Sequence, residues 1–163
     1  DSRSPKLGAR ILSSLEKLHL TIKKLSLKIV DKSNYLKAAH VKGIPIQGIK
    51  NLQDNLFGLE SNFEELNAID FKKGCYVGQE NTARMKLKNK VRRKLIPIIA
   101  KNNLKILDEI KFKEQVVGKV LIDGTYPFAL IKLFDPNFSE FYKKNLKVKD
   151  TDVQILVPSH FKF

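Results

Sequence analysis

The spacing of apolar side chains changes character a little past the middle of the chain. In the second half, short runs suited to strands occupy residues 91–99, 110–112, 115–122, 126–134 and 153–157. Between them stand Asn102-Asn103, Asp123-Gly124 and Asp135-Pro136, which are turn chemistry. Several short strands with little helix predict a small antiparallel barrel, whose closure leaves no exposed edge. Residues 136–144 are expected to form a short helix. In the first half, Leu18, Leu20 and Ile22 and then Leu25, Leu27 and Ile29 alternate with polar positions, with a parity slip at Lys23-Lys24. That pattern predicts strand broken by a tight turn or bulge. Asp31 or Ser33 can cap a helix running to about Val41, stopped by Gly43 and Pro45. Residues 46–62 read as loop with a turn or two of helix around residues 52–56. Residues 79–88 lack Gly and Pro and predict a helix. No internal repeat is visible.

Composition narrows the class. At 163 residues with 42% hydrophobic content, the chain is one domain or two small ones and can bury roughly 70% of its unfolded surface. A single cysteine excludes an internal disulfide, fits a reducing compartment, and cannot alone supply the four protein ligands an iron–sulfur cluster usually takes. His19, His40 and His160 lack metal-ligand spacing with each other or with Cys75, so no zinc site is expected. No apolar run approaches the ~20 residues that cross a membrane, and the N-terminal residues lack the order of a secretory signal, so a soluble chain without a membrane partner is expected. The chain begins with Asp1 and its one methionine is Met85, which suggests the later part of a longer protein.

The net charge of +14 suits anionic partners, but much of it is lysine spread along the whole chain. The densest local cluster is Arg84, Lys86, Lys88, Lys90, Arg92, Arg93 and Lys94. It reads as a contact for RNA phosphates or for an anionic ligand tail, or as a solvated face. It has none of the interleaved aromatics that stack bases, so no specific nucleic acid is expected.

The stretch Lys73-Gly74-Cys75-Tyr76-Val77-Gly78-Gln79-Glu80, continuing to Ala83-Arg84, carries the densest chemistry. Two glycines flanking Cys75-Tyr76-Val77 permit a sharp turn and close approach of the backbone to a ligand. A helix begins next, with Gln79 and Glu80 where acceptors and negative charge are favoured. A thiol just ahead of a helix and beside Lys72 and Lys73 has its thiolate favoured. The same cysteine also reads as a small buried hydrophobe. Upstream, Glu60 and Asn62 offer polar groups to a heterocycle, while Asn62 followed by Glu65 has the spacing of a capping box.

Those residues resemble the signature of the YgfZ-type proteins, folate-binding relatives of the glycine-cleavage T-protein (aminomethyltransferase) that act in maturing iron–sulfur proteins. Leu59-Glu60-Ser61-Asn62-Phe63 with Leu66-Asn67 is similar to the segment leading into the family loop. Tyr35 with Gly43-Ile44-Pro45, and residues 1–10 as an Asp-Pro-Arg…Leu-Gly-x-Arg strand, extend the likeness. It departs at Ala39, where relatives often carry Arg, and at Ser2, where Pro is usual.

The resemblance implies an α+β fold: residues 1–90 form the end of a T-protein-like folate-binding domain and residues 91–163 a C-terminal antiparallel β-barrel. It implies tetrahydrofolate as cofactor, with Cys75 and Lys73 as the working pair. Tyr76 would offer a ring for stacking and Gly78 would keep the loop compact. Glu60, Gln79 and Glu80 would orient the pterin and the loop, and Arg84 falls on the signature. Implied partners are iron–sulfur enzymes or cluster carriers, including enzymes that modify tRNA, and the upstream half of the same protein. The implied compartment is the cytoplasm, or the mitochondrial matrix in a eukaryote. A folate-dependent aminomethyltransferase and a basic RNA-binding module are the alternatives. The Cys75 loop belongs to the assembly branch rather than to the transferase.

Overall fold

The computed structural model describes residues 1–74, 77–88 and 91–161. Among them, six strands close into an antiparallel barrel: β1 (Arg93–Ala100), β2 (Glu109–Phe112), β3 (Gln115–Ile122), β4 (Phe128–Lys132), β5 (Leu146–Val148) and β6 (Thr151–Ile155). Their order is β1-β4-β3-β2-β5-β6, and β6 returns to pair with β1. The register sets Ile96 opposite Ala129 and Ile98 opposite Ile155. Ile96, Ala129 and Ile98 join Ile110, Val117, Ile131 and Val153 in one buried cluster, against which the partly buried Ile155 packs. Between β4 and β5 a single helical turn, Phe138–Phe141, is capped by the Asn137 side chain accepting from the Ser139 N–H. It adds Phe138 and Phe141 to that cluster, the two rings edge to face at 5.6 Å. At Gly118 a Cβ would stand 2.6 Å from Ile131 Cδ1 and 2.9 Å from the Leu130 carbonyl oxygen, so β3 and β4 reach this separation because the residue is glycine.

Ahead of the barrel lie a 3₁₀ turn (Pro5–Leu7), α1 (Leu15–Lys24), α2 (Lys32–Val41), a second 3₁₀ turn (Ile49–Leu52), a run of tight turns, and α3 (Gln79–Leu87). Asp31 caps α2 by accepting from the Ser33 N–H at 2.8 Å. Gly43, at φ +69, ends it, and a Cβ there would strike Phe161 and Pro158 of the C-terminal tail.

Contacts with the barrel come from several of these pieces. Ile122, Phe128 and Leu130 form a second apolar cluster with Leu95, completed by Leu52 and Leu56 from the preceding segment. The strand β1 is thus buried on both faces, which is why Leu95-Ile96-Pro97-Ile98 is uninterruptedly apolar. The Leu95 N–H donates to the Glu60 carbonyl at 2.7 Å, and the Leu95 carbonyl accepts from Asn62 Nδ2 at 2.6 Å. From α2, His40 Nε2 lies 2.9 Å from the Pro127 carbonyl, and Tyr126 donates its hydroxyl to the Ser33 carbonyl at 3.1 Å.

The barrel, α2, α3 and the turn before β5 agree with the sequence expectation; four details do not. Residues expected as strand around 18–29 contain α1. Ser14 caps it, and Leu15, Leu18, Ile22 and Leu25 fall on one helical stripe. Residues 1–10 contain the Pro5–Leu7 turn rather than a strand, and Gly8 at φ +73 redirects the chain. Asn62 caps no helix: it sits at φ +61 and turns its amide to Leu95, so the capping-box spacing is coincidental. The strand β5, unexpected from the sequence, is three residues long and is defined by its neighbours β2 and β6.

Candidate functional site

Of the signature residues, Cys75 and Tyr76 lie outside the described residues, as does Lys90 of the basic cluster. The others flank them. Lys73 is exposed. Gly78 occupies the position before α3 at φ +83 and ψ 2, and a Cβ there would meet no atom of the described residues within 4 Å. Its glycine is therefore called for by left-handed backbone conformation rather than by lack of space. Val77 is fully exposed. Gln79 is half-buried and Glu80 exposed in the first turn of α3, with Arg84 exposed in its last turn. This order of charge matches the helix dipole at both ends.

The helix α3 is tied down on one side. Lys86 bridges to Glu64 at 2.5 Å, and its ammonium stands 5.4 Å from the centre of the Phe71 ring. Glu64 belongs to a turn segment whose other carboxylates also meet the basic cluster. Glu60 is buried, and Arg93 grips its carboxylate with two N–H donors at 2.9 and 3.2 Å while the Phe57 N–H donates to it at 3.0 Å. Glu65 takes the buried Lys94 ammonium, which also lies near the face of Phe161. Three cations of what reads as an acid-free cluster in sequence are thus paired with Glu60, Glu64 and Glu65. Arg84, Lys88 and Arg92 remain on the exposed surface.

Beside this zipper of charges opens a groove of about 590 Å³, walled by Ile44, Pro45, Leu52, Leu56, Phe63 and Leu95, with Arg3 and Lys50 also lining it. Its volume and apolar walls are those of a small-molecule site. Glu60 and Asn62 stand in the same segment as its lining residues Ser61 and Phe63. Asn62 is fully buried, and its Oδ1 has no hydrogen-bond partner among the described residues. The polar motif residues of the N-terminal stretch meet one another at Tyr35. Asp1 holds Arg3 and Arg10, and both guanidiniums donate to the Tyr35 hydroxyl, at 3.2 and 2.7 Å. Burial works to raise the Tyr35 phenol, but those two donors outweigh it and hold it below its usual value.

Sequence reasoning found Glu60 but missed what it touches, because Arg93 is 33 residues away. It also gave no role to His40, buried where α2 meets the barrel, edge-on to Phe128 at 5.1 Å. Among the described residues no group of three His, Cys, Asp or Glu side chains is placed to hold a metal ion. None of their helices is long and apolar enough to cross a membrane.

No protein-family model matches the chain. It is similar to proteins called iron-sulfur cluster assembly factor IBA57 homolog, mitochondrial. The one from Pyricularia oryzae is 31% identical over 127 residues, covering 78% of this chain and 32% of the relative. The one from Dictyostelium discoideum is 33% identical over 129 residues, 78% of this chain and 30% of the relative. The one from Neurospora crassa is 34% identical over 99 residues, 61% of this chain and 22% of the relative. The chain therefore spans about a third or less of the length of the curated relatives it matches. A match of 127 residues within 163 cannot avoid the middle of the chain, so the likeness to these assembly factors takes in the residue 73–84 signature.

Proposed function

We propose that this chain serves iron–sulfur cluster assembly in the mitochondrial matrix, as part of a folate-binding protein of the T-protein-like superfamily and its YgfZ-type branch. One observation carries the reading: similarity to mitochondrial assembly factors over 78% of the chain, through the cysteine signature. The cluster is cargo, and its partners are iron–sulfur enzymes or cluster carriers. Cys75 and Lys73 are the working pair of the loop, with Gly78 setting the backbone and Arg84 and Glu80 presented beside it.

The groove fits tetrahydrofolate by its chemistry. Its apolar walls suit flat rings, and Lys50 suits a carboxylate of a glutamate tail, whereas Arg3 is already held by Asp1 and would have to be shared. The Glu60 carboxylate is already held by Arg93 and the Phe57 N–H, so a pterin contact would have to share those donors. The groove is open on one side, and in this reading the upstream half of the longer protein supplies the missing wall. The chain alone then binds tetrahydrofolate weakly; tight binding in a titration followed by heat would remove the need for that half.

An aminomethyltransferase is disfavoured by the Cys75 signature. An RNA-binding module is disfavoured by the pairing of Lys86, Arg93 and Lys94 with glutamates, which withdraws them from phosphates. The decisive experiment introduces Cys75→Ser into the full-length protein in cells that lack it. Iron–sulfur enzyme activities are expected to fall while cluster-free matrix enzymes and the protein's melting temperature hold. Retained iron–sulfur activity would refute the role of the thiol.

A further inference from the structure

The helix α1 and its flanks form an amphipathic surface that the other described residues leave bare. None of the α1 residues is buried. At 100° per residue, Leu15, Leu18, Ile22 and Leu25 fall within one arc of the helix, and Lys17 and Lys24 lie opposite it together with Leu20, which is 65% exposed. The apolar surface continues beyond the helix at both ends: Leu12 ahead of it is fully exposed, and Leu25 and Ile29 after it are 59% and 82% exposed. Exposed apolar side chains contiguous over this length mark an interaction surface rather than ordinary surface scatter.

Charge selects the partner. Lys17, Lys23, Lys24 and Lys28 accompany the stripe, against Glu16 as the one acid between Ile11 and Val30. A second copy of the chain would bring like charges together, which opposes self-association. A helix of 10 residues spans only about 15 Å, half of the ~30 Å hydrocarbon layer, and its lysines would not enter that layer. An apolar stripe backed by lysines instead suits a helix lying flat in the headgroup region of a bilayer, where anionic lipids attract the basic residues.

We propose that residues 11–30, centred on α1, dock the protein on an anionic lipid surface, with Leu15, Leu18, Ile22 and Leu25 facing the acyl boundary and Lys17, Lys23, Lys24 and Lys28 facing the headgroups. This surface lies outside the groove and the cysteine loop, so it stands or falls independently of the iron–sulfur reading.

Co-sedimentation of the whole chain with vesicles tests it. One set is phosphatidylcholine alone; the other contains about a third phosphatidylglycerol. Binding is expected to the anionic vesicles only, and to weaken as salt screens the lysines. Leu15→Gln with Leu18→Gln keeps the net charge and removes apolar contact; it is expected to lower binding about tenfold or more. Lys23→Gln with Lys24→Gln is expected to lower it as well. Both pairs alter exposed residues, and their melting curves should match that of the unsubstituted chain. No binding to anionic vesicles overturns the proposal, as does equal binding to the neutral ones. Unchanged binding in both variant pairs overturns it too, because the general positive charge would then be responsible. A dimer dissolved by the leucine pair, without vesicle binding, assigns the surface to a second copy.

Discussion

The barrel and the segment ahead of it use apolar residues in opposite ways. In the barrel, each strand edge is paired, and Ile96, Ile98, Ile110 and Ile131 are completely buried in a common interior. Among the described residues of the preceding segment, one small buried cluster joins Ala39, Ile44 and Leu66, assisted by Leu7 and Ile46. It leaves Ile49, Phe57, Phe63 and Phe71 substantially exposed. What secures it is attachment to β1: the Leu95 backbone bonds, the Leu52 and Leu56 contacts, and the ion pairs of Glu60 and Glu65. The barrel is therefore a folding unit in its own right, whereas the segment borrows its order from the barrel and keeps surface free for ligands and partners. In the proposed reading, function falls on the half with less core of its own.

Three changes test that division, in decreasing order of effect. Phe141 is completely buried against Phe112 and Phe138, so Phe141→Ala should cost about 3–5 kcal/mol by leaving a cavity. Since the segment depends on the barrel, both should unfold together in this variant, whether followed by backbone circular dichroism or by amide exchange in α2. A barrel that melts while α2 keeps its protection would reverse the dependence.

Next comes the seam. Lys94 and Glu65 are both nearly buried and paired, so Lys94→Ala leaves a carboxylate in low-dielectric surroundings and should cost about 3 kcal/mol. Replacing the pair together, Lys94→Met with Glu65→Leu, should recover much of that loss, because the desolvation of both charges disappears with them. Chemical denaturation of Lys94→Met, Glu65→Leu and the double variant measures the coupling. The segment is expected to exchange its amides faster than the barrel in Lys94→Ala, because this pair spans the two regions.

The same contrast explains how far the sequence could be read. Barrel strands announce themselves because continuous apolar runs, broken at Asn102-Asn103 and Asp123-Gly124, are set by local chemistry and by burial on both faces. The strand β5 is too short to register as a pattern, since Leu146, Lys147 and Val148 become a strand only when β2 and β6 flank them. In α1, the positions Leu18, Leu20 and Ile22 alternate like a strand while Leu15, Leu18, Ile22 and Leu25 repeat like a helix. An exposed helix without a packing partner gives no burial constraint to separate the two periods. The signature and Glu60 stand out as chemistry. The partners Arg93, Lys94 and Lys86 do not, because 22 to 33 residues separate each from its glutamate, and a cluster that looks uniformly basic in sequence is neutralised in part by side chains from elsewhere.

The gentlest test of the seam is pH, acting through His40. Burial of its ring where α2 meets the barrel holds its pKa below the ordinary 6.5, although the carbonyls of Pro127 and Ile98 pull the other way. Lys37 and Lys101 line the adjoining cleft, which has no carboxylate among its lining residues, so protonation there gains no counter-charge. With the folded pKa depressed, the unfolded or undocked chain binds the proton more readily. Stability contributed by the neutral ring is fully present above 6.5 and is lost as pH falls from that value through the lowered folded pKa. His160 shifts in the same direction, chiefly by burial with Lys42 adding to it, so the two must be separated by substitution. Acidification should speed amide exchange in residues 32–41 before it affects β3 and β4. His40→Gln, whose amide can still donate to the Pro127 carbonyl, should flatten that response, and His160→Gln should leave it in place. If α2 and the barrel strands lose protection together as pH falls, the proton is acting on the whole fold and the seam is not the weaker element.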